Sequence, residues 1–208
     1  MQTFKTEQES FWAGEFGTEY IKRNQNNELF SSNLHFFSKA LKGVGKFNSV
    51  VEFGANIGMN VRALQFLYPN CLVKGIEINN EAARELASHI GDVNVIHSSI
   101  LDLNTSHLTA DISLIKGVLI HINPEFLDVV YQKLYDVATR YIFIAEYYNP
   151  VPVELPYRGH ANKLFKRDFA GDFLKLFPAC TITDYGFAYR NDPQAPQDDI
   201  TWFLIRKG

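Results

Sequence analysis

Cysteines and long apolar runs are scarce in this 208-residue sequence. Its two cysteines, Cys71 and Cys180, lie in apolar stretches without CxxC spacing, which predicts reduced core residues and fits a reducing cytoplasm. No run approaches the roughly 18 apolar residues that a membrane span needs, and the N-terminal segment has no signal-peptide pattern. We therefore expect a cytoplasmic protein that has no membrane partner.

A basic surplus and metal-ligand spacing are also missing. The formal net charge is -3, whereas proteins that bind nucleic acid usually carry excess positive charge. No group of His, Cys, Asp and Glu residues has the spacing of a metal site. The sequence thus predicts neither a nucleic-acid partner nor a metal, and it leaves the oligomeric state open.

The apolar pattern divides the chain near residue 48. Residues 1–47 are predicted to form an N-terminal helical lid, and 48–208 a cofactor-binding α/β unit, together one compact domain. Three aromatic residues of the first part recur at four-residue spacing, namely Trp12, Phe16 and Tyr20. Gly14 and Gly17 interrupt that helical stretch.

Short apolar runs alternate with amphipathic helices in the second part, which implies parallel strands joined by right-handed crossovers. The predicted strands are 49–54, 71–78, 93–97, 111–117 and 141–148, and the helices between them are 57–68, 81–90 and 124–140. Phenylalanines from Phe165 to Phe177 predict a further helix. Two β-rich runs, 181–189 and 199–207, then predict an antiparallel hairpin.

The segment EFGANIG, from Glu52 to Gly58, joins a buried strand to a helix. Gly54 allows a tight turn and lets a ligand approach the backbone. Glu77 ends the next predicted strand, where an acid can accept two hydrogen bonds from a ribose diol. A pyrophosphate site needs GxGxxG, but Asn56 crowds that position and Glu52 suits a cationic ammonium group. The loop therefore favours S-adenosylmethionine over NAD.

This loop resembles motif I of class I S-adenosylmethionine-dependent methyltransferases, with Asn56 in place of the usual middle glycine. The resemblance implies a Rossmann-like α/β fold with a mostly parallel seven-stranded sheet and an antiparallel C-terminal hairpin. It places Glu52 near the methionine amino group and Glu77 at the ribose. The other cofactor residues it implies are Gly54, Ala55, Asn56, Gly58, Ile78, Ser99, Ile100, Lys116, Gly117 and Val118. Ser99 replaces the family's usual aspartate, which leaves the Ile100 backbone, Asp102 or water beside the adenine amino group.

Longer segments resemble the methylases associated with pseudaminic acid biosynthesis, a small bacterial family. They are FWAGEFGTEYIKRN (11–24), VEFGANIGMN (51–60), KGVLIHINPE (116–125), AEYYNPVPVELPYRGH (145–160), LFKRDFAG (164–171) and PQDDITWFL (196–204). The resemblance implies a role in surface-glycan biosynthesis, flagellar or capsular.

The acceptor is predicted to bind among loops at the carboxyl ends of the strands. The catalytic candidates are His121, Tyr147 and His160; either histidine could be a general base, and His121 could instead pack structurally under its loop. The substrate-binding candidates are Trp12, Tyr20, Tyr148, Asn149 and Arg158. Arg158 could hold an anion with two hydrogen bonds, or pair with Glu154 or Asp168. The segment from Glu146 to Phe165 is interpreted as a loop.

The sequence thus predicts an O- or N-methyltransferase for a small anionic acceptor that is sugar-like or phosphorylated. Three alternatives stay open: a non-catalytic S-adenosylmethionine-binding module, a methyltransferase for RNA or protein, and an NAD-dependent oxidoreductase. The acceptor and the methylated atom are not identified.

Overall fold

The computed structural model describes residues 4–23 and 26–208, so positions 1–3 and 24–25 of the predicted lid lie outside the described residues. The strands are β1 (Ser49–Phe53), β2 (Leu72–Glu77), β3 (Val95–His97), β4 (Ala110–Lys116), β5 (Ala138–Glu146), β6 (Val153–Tyr157), β7 (His160–Lys166), β8 (Thr181–Ala188) and β9 (Ile200–Arg206). The helices are α1 (Glu7–Ala13), α2 (Glu15–Ile21), α3 (Asn27–Ala40), α4 (Met59–Leu67), α5 (Asn80–Ile90), α6 (Leu127–Val137) and α7 (Phe169–Leu176).

Seven strands form one sheet in the order β3-β2-β1-β4-β5-β9-β8. The first five are parallel, and β9 runs antiparallel to both β5 and β8. The prediction of a mostly parallel seven-stranded sheet with a C-terminal antiparallel hairpin is confirmed. The chain winds outward from β1 in both directions, so a crevice opens between the carboxyl ends of β1 and β4, where open α/β sheets bind ligands.

Helices cover both faces of the sheet. On one face α6 and α7 bury Leu134 and Phe173 against the strands, and on the other α3 and α4 bury Phe37 and Leu64. Full burial of such a side chain is worth about 1.5–3 kcal/mol, so both faces contribute to stability. Cys71 and Cys180 are both buried, which confirms their predicted core positions. Within residues 4–23 and 26–208, no helix is long and apolar enough to cross a membrane.

The segment predicted as a loop between Glu146 and Phe165 contains a β-hairpin instead, so that prediction was wrong. β6 and β7 pair antiparallel through a two-residue turn, in which Arg158 has φ 51° and Gly159 φ 86°. Two successive positive φ values give a turn whose twist matches the paired strands. The prolines that suggested a loop are tolerated because a two-stranded sheet has only edge strands.

Two predicted helix bounds were also wrong. Phe165 lies in β7, and the phenylalanine-rich helix α7 begins at Phe169, after Asp168 accepts a hydrogen bond from Gly171 N. The helix predicted to reach Arg140 ends at Val137, and the next residues already pair with β4. Both differences arise because strand pairing overrides a local helical pattern.

Candidate active site

The loop after β1 is tightly closed on β2. The N–H groups of Gly54 and Ala55 both donate to Ile76 O at 2.9 Å. Gly54 has φ +74°, and a Cβ there would lie 2.6 Å from Val118 Cγ2. Glycine is therefore required at this position both for its backbone conformation and for its lack of a side chain.

Asn56 occupies the left-handed region that the usual middle glycine would favour, with φ 48°. Asparagine tolerates this region better than most residues because its side chain can bond locally. Its Oδ1 accepts a hydrogen bond from Ile57 N at 2.7 Å, and its own N–H donates to Glu77 Oε2 at 2.7 Å. Asn56 thus replaces glycine without opening the loop.

Glu77 ends β2 and is buried against the loop. Its Oε2 accepts from Asn56 N, and its Oε1 accepts from Asn79 N at 2.7 Å. Burial raises the pKa of Glu77, and these N–H groups oppose that shift. Each carboxylate oxygen can accept more than one hydrogen bond, so the fixed side chain can also receive two hydroxyl groups from the cavity.

A buried acceptor pair lies behind the loop. Glu52 is fully buried and its Oε1 accepts from Asn60 Nδ2 at 2.6 Å. Among the described residues, Glu52 Oε2 and Asn60 Oδ1 have no hydrogen-bond partner. Burial raises the pKa of Glu52 to about 8, opposed by the Asn60 contact and by Lys116. Asn60 lines the cavity and Glu52 lies behind it, so a cationic ammonium group there would donate to Asn60 Oδ1 and be attracted by the Glu52 carboxylate.

The end of β4 is held by an acid that the sequence analysis did not single out as a site residue. Glu146, buried at the end of β5, accepts hydrogen bonds from Val118 N at 2.9 Å and Leu119 N at 2.8 Å. Burial raises its pKa to about 7, opposed by these N–H groups. The turn that follows β4, in which Gly117 has φ +68°, is therefore fixed from the neighbouring strand.

These features enclose one cavity at the carboxyl edge of β1 to β4. Of the predicted cofactor residues, those that line it are Gly54, Ala55, Asn56, Glu77, Ile78, Ser99, Ile100, Lys116, Gly117 and Val118. Glu52 does not line the cavity, and Asn60 stands there instead. Gly58 does not line the cavity either. It has φ +87°, and a Cβ at this position would lie 2.5 Å from Leu86 Cδ1.

The N-terminal helix pair, α1 and α2, closes the cavity from above. The two hydrogens of Asn79 Nδ2 are shared among Trp12 O at 3.2 Å, Gly14 O at 3.3 Å and Thr18 Oγ1 at 3.2 Å. Its Oδ1 caps α5 by accepting from Ala82 N at 3.1 Å. One buried side chain thus joins the helix pair to the loop after β2.

Two polar residues of α1 that the sequence analysis missed line the cavity, namely Gln8 and Glu9. Thr6 and Glu9 form a capping box, in which each side chain bonds the other's backbone N–H. The sequence pattern Thr-x-x-Glu could have located this helix start. It could not have shown that Glu9 faces the loop after β3.

The predicted substrate side of the cavity is aromatic. Trp12 lies against His121, with ring centroids 4.6 Å apart, and Tyr157 lies 4.7 Å from the same imidazole. Tyr20 and Tyr147 also line this part of the cavity. Asp198 lines this part of the cavity too, although it was not among the predicted site residues.

His121 is a buried, neutral imidazole. Its Nδ1 lies 2.5 Å from Lys163 O, which fixes Nδ1 as the protonated nitrogen and leaves the lone pair on Nε2. Burial lowers the pKa of His121 to about 4. The side chain is thus uncharged near neutral pH and is an acceptor of hydrogen bonds at Nε2.

Arg158 is exposed in the turn between β6 and β7, with its guanidinium 5.6 Å from the Tyr157 ring centroid. The two acids considered as its partners have other contacts. Glu154 accepts from Asn162 N at 3.0 Å, and Asp168 caps α7. Arg158 does not line the cavity itself, but the Tyr157 ring that its guanidinium contacts does.

The structure places three more predicted substrate-binding or catalytic residues outside the cavity. Tyr148 lines a different depression beside β8, and Asn149 is half-buried with its Nδ2 bonded to Val151 O at 2.6 Å. His160 is exposed and packs on Phe11, outside the cavity. Tyr148 points away from Tyr147 because successive side chains of an extended segment alternate between its two sides. The roles predicted for Tyr148, Asn149 and His160 stay predictions. In the described part of the chain, no group of three or more His, Cys, Asp or Glu residues could hold a metal.

Solved methyltransferase structures match most of the chain. Magnesium protoporphyrin IX methyltransferase from Synechocystis PCC 6803, with bound S-adenosylmethionine, is 12% identical over 100% of both chains, with a TM-score of 0.69. A Leishmania major S-adenosylmethionine-dependent methyltransferase is 13% identical over 96% of this chain and 80% of that chain, with a TM-score of 0.72. The chain has the class I methyltransferase fold.

A third match holds a small acceptor. 1,6-Didemethyltoxoflavin-N1-methyltransferase from Burkholderia thailandensis, solved with 1,6-didemethyltoxoflavin and S-adenosylhomocysteine, is 14% identical over 96% of this chain and 86% of that chain, with a TM-score of 0.69. No family model and no curated protein matches the sequence. The comparisons therefore establish the methyltransferase fold.

Proposed function

We propose that the protein is an S-adenosylmethionine-dependent methyltransferase of small molecules. The unpartnered Asn60 Oδ1 at the cavity, with the buried Glu52 carboxyl group behind it, is the observation that carries this proposal, because the pair suits a bound ammonium group. Glu77 supplies the carboxylate for the ribose hydroxyls. The ligands of the solved neighbours support the same cofactor.

When bound, S-adenosylmethionine supplies an electrophilic methyl group, so the main task of the protein is to position the acceptor atom in line with it. We propose that Trp12, Tyr20, Tyr147 and Tyr157 hold the acceptor between them. His121 would accept a hydrogen bond from an acceptor hydroxyl at Nε2. With a pKa of about 4, it orients that hydroxyl and is a weak base near pH 7.

For the acceptor we propose a small, anionic, polyhydroxylated molecule of bacterial surface-glycan biosynthesis, methylated on oxygen or nitrogen in the cytoplasm. The resemblance to the pseudaminic acid-associated methylases supports this class. The tyrosines give flat walls with polar tips, and Trp12 Nε1 is buried without a partner among the described residues. Arg158, at the rim, offers a planar fork for a carboxylate or phosphate.

Two measurements test the activity. Calorimetric titration with S-adenosylmethionine and S-adenosylhomocysteine should show stoichiometric binding of both. A mass-spectrometric screen of nucleotide sugars and their precursors should find a product heavier than its acceptor by one methylene unit. Binding without turnover of any acceptor would favour a non-catalytic S-adenosylmethionine-binding module, and absence of binding would refute the proposal.

Arg158→Lys tests the anionic acceptor once a substrate is found. Lysine keeps the charge and loses the planar fork, so the acceptor KM should rise about tenfold while cofactor affinity stays unchanged. Lys22→Arg, at an exposed position after α2, is a control in which kinetics should not change. Unchanged acceptor KM in Arg158→Lys would remove the main support for an anion.

A further inference from the structure

The order of strands assigns each end of the cavity to a part of the cofactor, if the proposed function holds. Glu77, at the end of β2, lies between the loop after β1 and the loop after β3. With the ribose at Glu77 and the amino-acid end beside Glu52, the purine must extend toward β3. The purine end of the cavity is lined by the loop Ser98–Leu101 and by Gln8 and Glu9 of α1.

Glu9 is a buried carboxylate fixed at this end. Its Oε2 accepts from the N–H groups of Lys5 at 2.8 Å and Thr6 at 2.9 Å. Its Oε1 accepts the hydroxyl hydrogen of Ser99, which lies 90 residues away in the sequence. Ser99 Oγ in turn accepts from Leu101 N at 3.0 Å. The serine is thereby occupied by protein partners, and the carboxylate is held against the loop after β3.

The charge and polarity of this end favour a ligand that donates hydrogen bonds. The acids that line the cavity are Glu9, Glu77 and Asp198 within the described chain, and Asp198 lies with the aromatic residues at the other side. Gln8 Oε1 is buried here without a partner among the described residues. A carboxylate can only accept hydrogen bonds, so it matches an amino group and repels a carbonyl oxygen.

We propose that Glu9 accepts a hydrogen bond from the exocyclic amino group of the adenine. The N-terminal helix pair thus supplies the residue that selects a 6-aminopurine over a 6-oxopurine. Ser99 acts as a positioning residue that orients this carboxylate. The acid that selects the purine therefore comes from α1, a helix that closes the cavity. The loop after β3 has Ser99 at the position where the family usually has aspartate.

The test compares S-adenosylhomocysteine with S-inosylhomocysteine, which carries an oxygen in place of the amino group. Both dissociation constants are measured by calorimetry for the wild type, Glu9→Gln and the control Glu15→Gln. Glu15 is exposed on α2 and loses the same charge. Glutamine also serves in a capping box, so Glu9→Gln keeps the start of α1. Its amide oxygen must face Lys5 N and Thr6 N, which turns its NH₂ toward Ser99 and the purine.

The wild type and Glu15→Gln should prefer S-adenosylhomocysteine roughly 10- to 100-fold, because a buried carboxylate facing a carbonyl oxygen is left unsatisfied. In Glu9→Gln the preference should fall below about threefold or reverse, since the amide offers a donor to the oxygen. A Glu9→Gln protein with unchanged melting temperature and the full wild-type preference would overturn the inference and leave the proposed function standing. A wild type that binds neither ligand would overturn both.

Discussion

Buried acids surround the cavity, and their protonation is linked to the charge of the ligand. Burial raises the pKa of Glu52 to about 8, so in the free protein this side chain is largely protonated at pH 7. Asn60 faces it from α4, Lys116 from β4 and Glu77 from β2. A bound ammonium group would favour the ionised form of Glu52 and lower its pKa.

Cofactor binding should therefore release a proton, and affinity should increase as pH rises from about 6 to 8. Calorimetry of S-adenosylhomocysteine binding in two buffers with different ionisation enthalpies measures the number of protons released. In Glu52→Gln, which retains an acceptor for Asn60, this release should disappear. Equal release in wild type and variant would instead assign the titration to Lys116 or Glu77.

Gly54 offers a second test at this scale, with Gly45 as its matched control. Both have positive φ, 74° and 69°, so alanine should cost each about 1–2 kcal/mol of backbone strain. Only at Gly54 would the new Cβ meet another residue, Val118, whereas nothing lies within 4 Å at Gly45. Gly54→Ala should lose at least tenfold in cofactor affinity, and Gly45→Ala should lose stability alone. Equal affinities by calorimetry would contradict the placement of the cofactor on this loop.

The residues of the motif loop could be predicted because their signal is local. Gly54, Asn56 and Glu77 form a spacing that can be read within one strand–helix–strand unit. Glu9 meets Ser99 across 90 positions, and no pattern near either residue reports that contact. The role of Asn60 was missed for a similar reason. Its side chain reaches from α4 to Glu52 on β1 and lies between that carboxyl group and the cavity.

The N-terminal helix pair is the element whose position matters most for the site. The side chain of Asn79 holds the Trp12–Thr18 part of this pair, because its Nδ2 group faces Trp12 O, Gly14 O and Thr18 Oγ1. The start of α1 is held separately, by the Glu9–Ser99 hydrogen bond and the Lys163–Glu7 ion pair. The oxygen of the Asn79 side chain caps α5. Asn79→Asp would therefore retain the cap, since aspartate caps helices as well as asparagine, and would place a charge against backbone carbonyls.

We expect Asn79→Asp to open the helix pair without melting α5. Hydrogen exchange of residues 12–18 should accelerate, and cofactor affinity should decrease about tenfold or more, as the loss of shared hydrogen bonds costs about 1–3 kcal/mol. Asn26→Asp makes the same change at the exposed N-cap of α3, and it should alter neither the hydrogen exchange of residues 12–18 nor the cofactor affinity. Protected exchange at 12–18 in Asn79→Asp would show that other contacts hold the pair.

Most helices and strands could be predicted from apolar periodicity. The prediction failed where a segment becomes a strand only because another strand pairs with it. The strands β1 to β5 were predicted within a few residues because each is a continuous apolar run. The β6–β7 hairpin was missed because it carries prolines and exposed polar residues, so no periodic apolar face marks it. Its turn at Arg158 and Gly159 was the available signal, although arginine rarely adopts the positive φ found there.

Ligand binding should stabilise the whole molecule, since the cavity is built from β1 to β4, α1 and α2 together. At a concentration of S-adenosylhomocysteine about 100 times its dissociation constant, the gain is about 2.7 kcal/mol. For a chain of this size that corresponds to an increase in Tm of roughly 5–10 °C, measured by thermal unfolding. NAD at an equal concentration should give no shift; a shift with NAD instead would favour the oxidoreductase alternative.

The strand order also governs how this molecule folds while it is being synthesised. β8 pairs only with β9, and β9 separates β8 from β5. A nascent chain that has emerged as far as β8 therefore has an unpaired edge on β5 and a β8 strand without a partner. Both conditions persist until β9 leaves the ribosome and pairs with β5 and β8. The interval between synthesis of β8 and β9 is thus when the chain is most exposed to aggregation and depends most on chaperones.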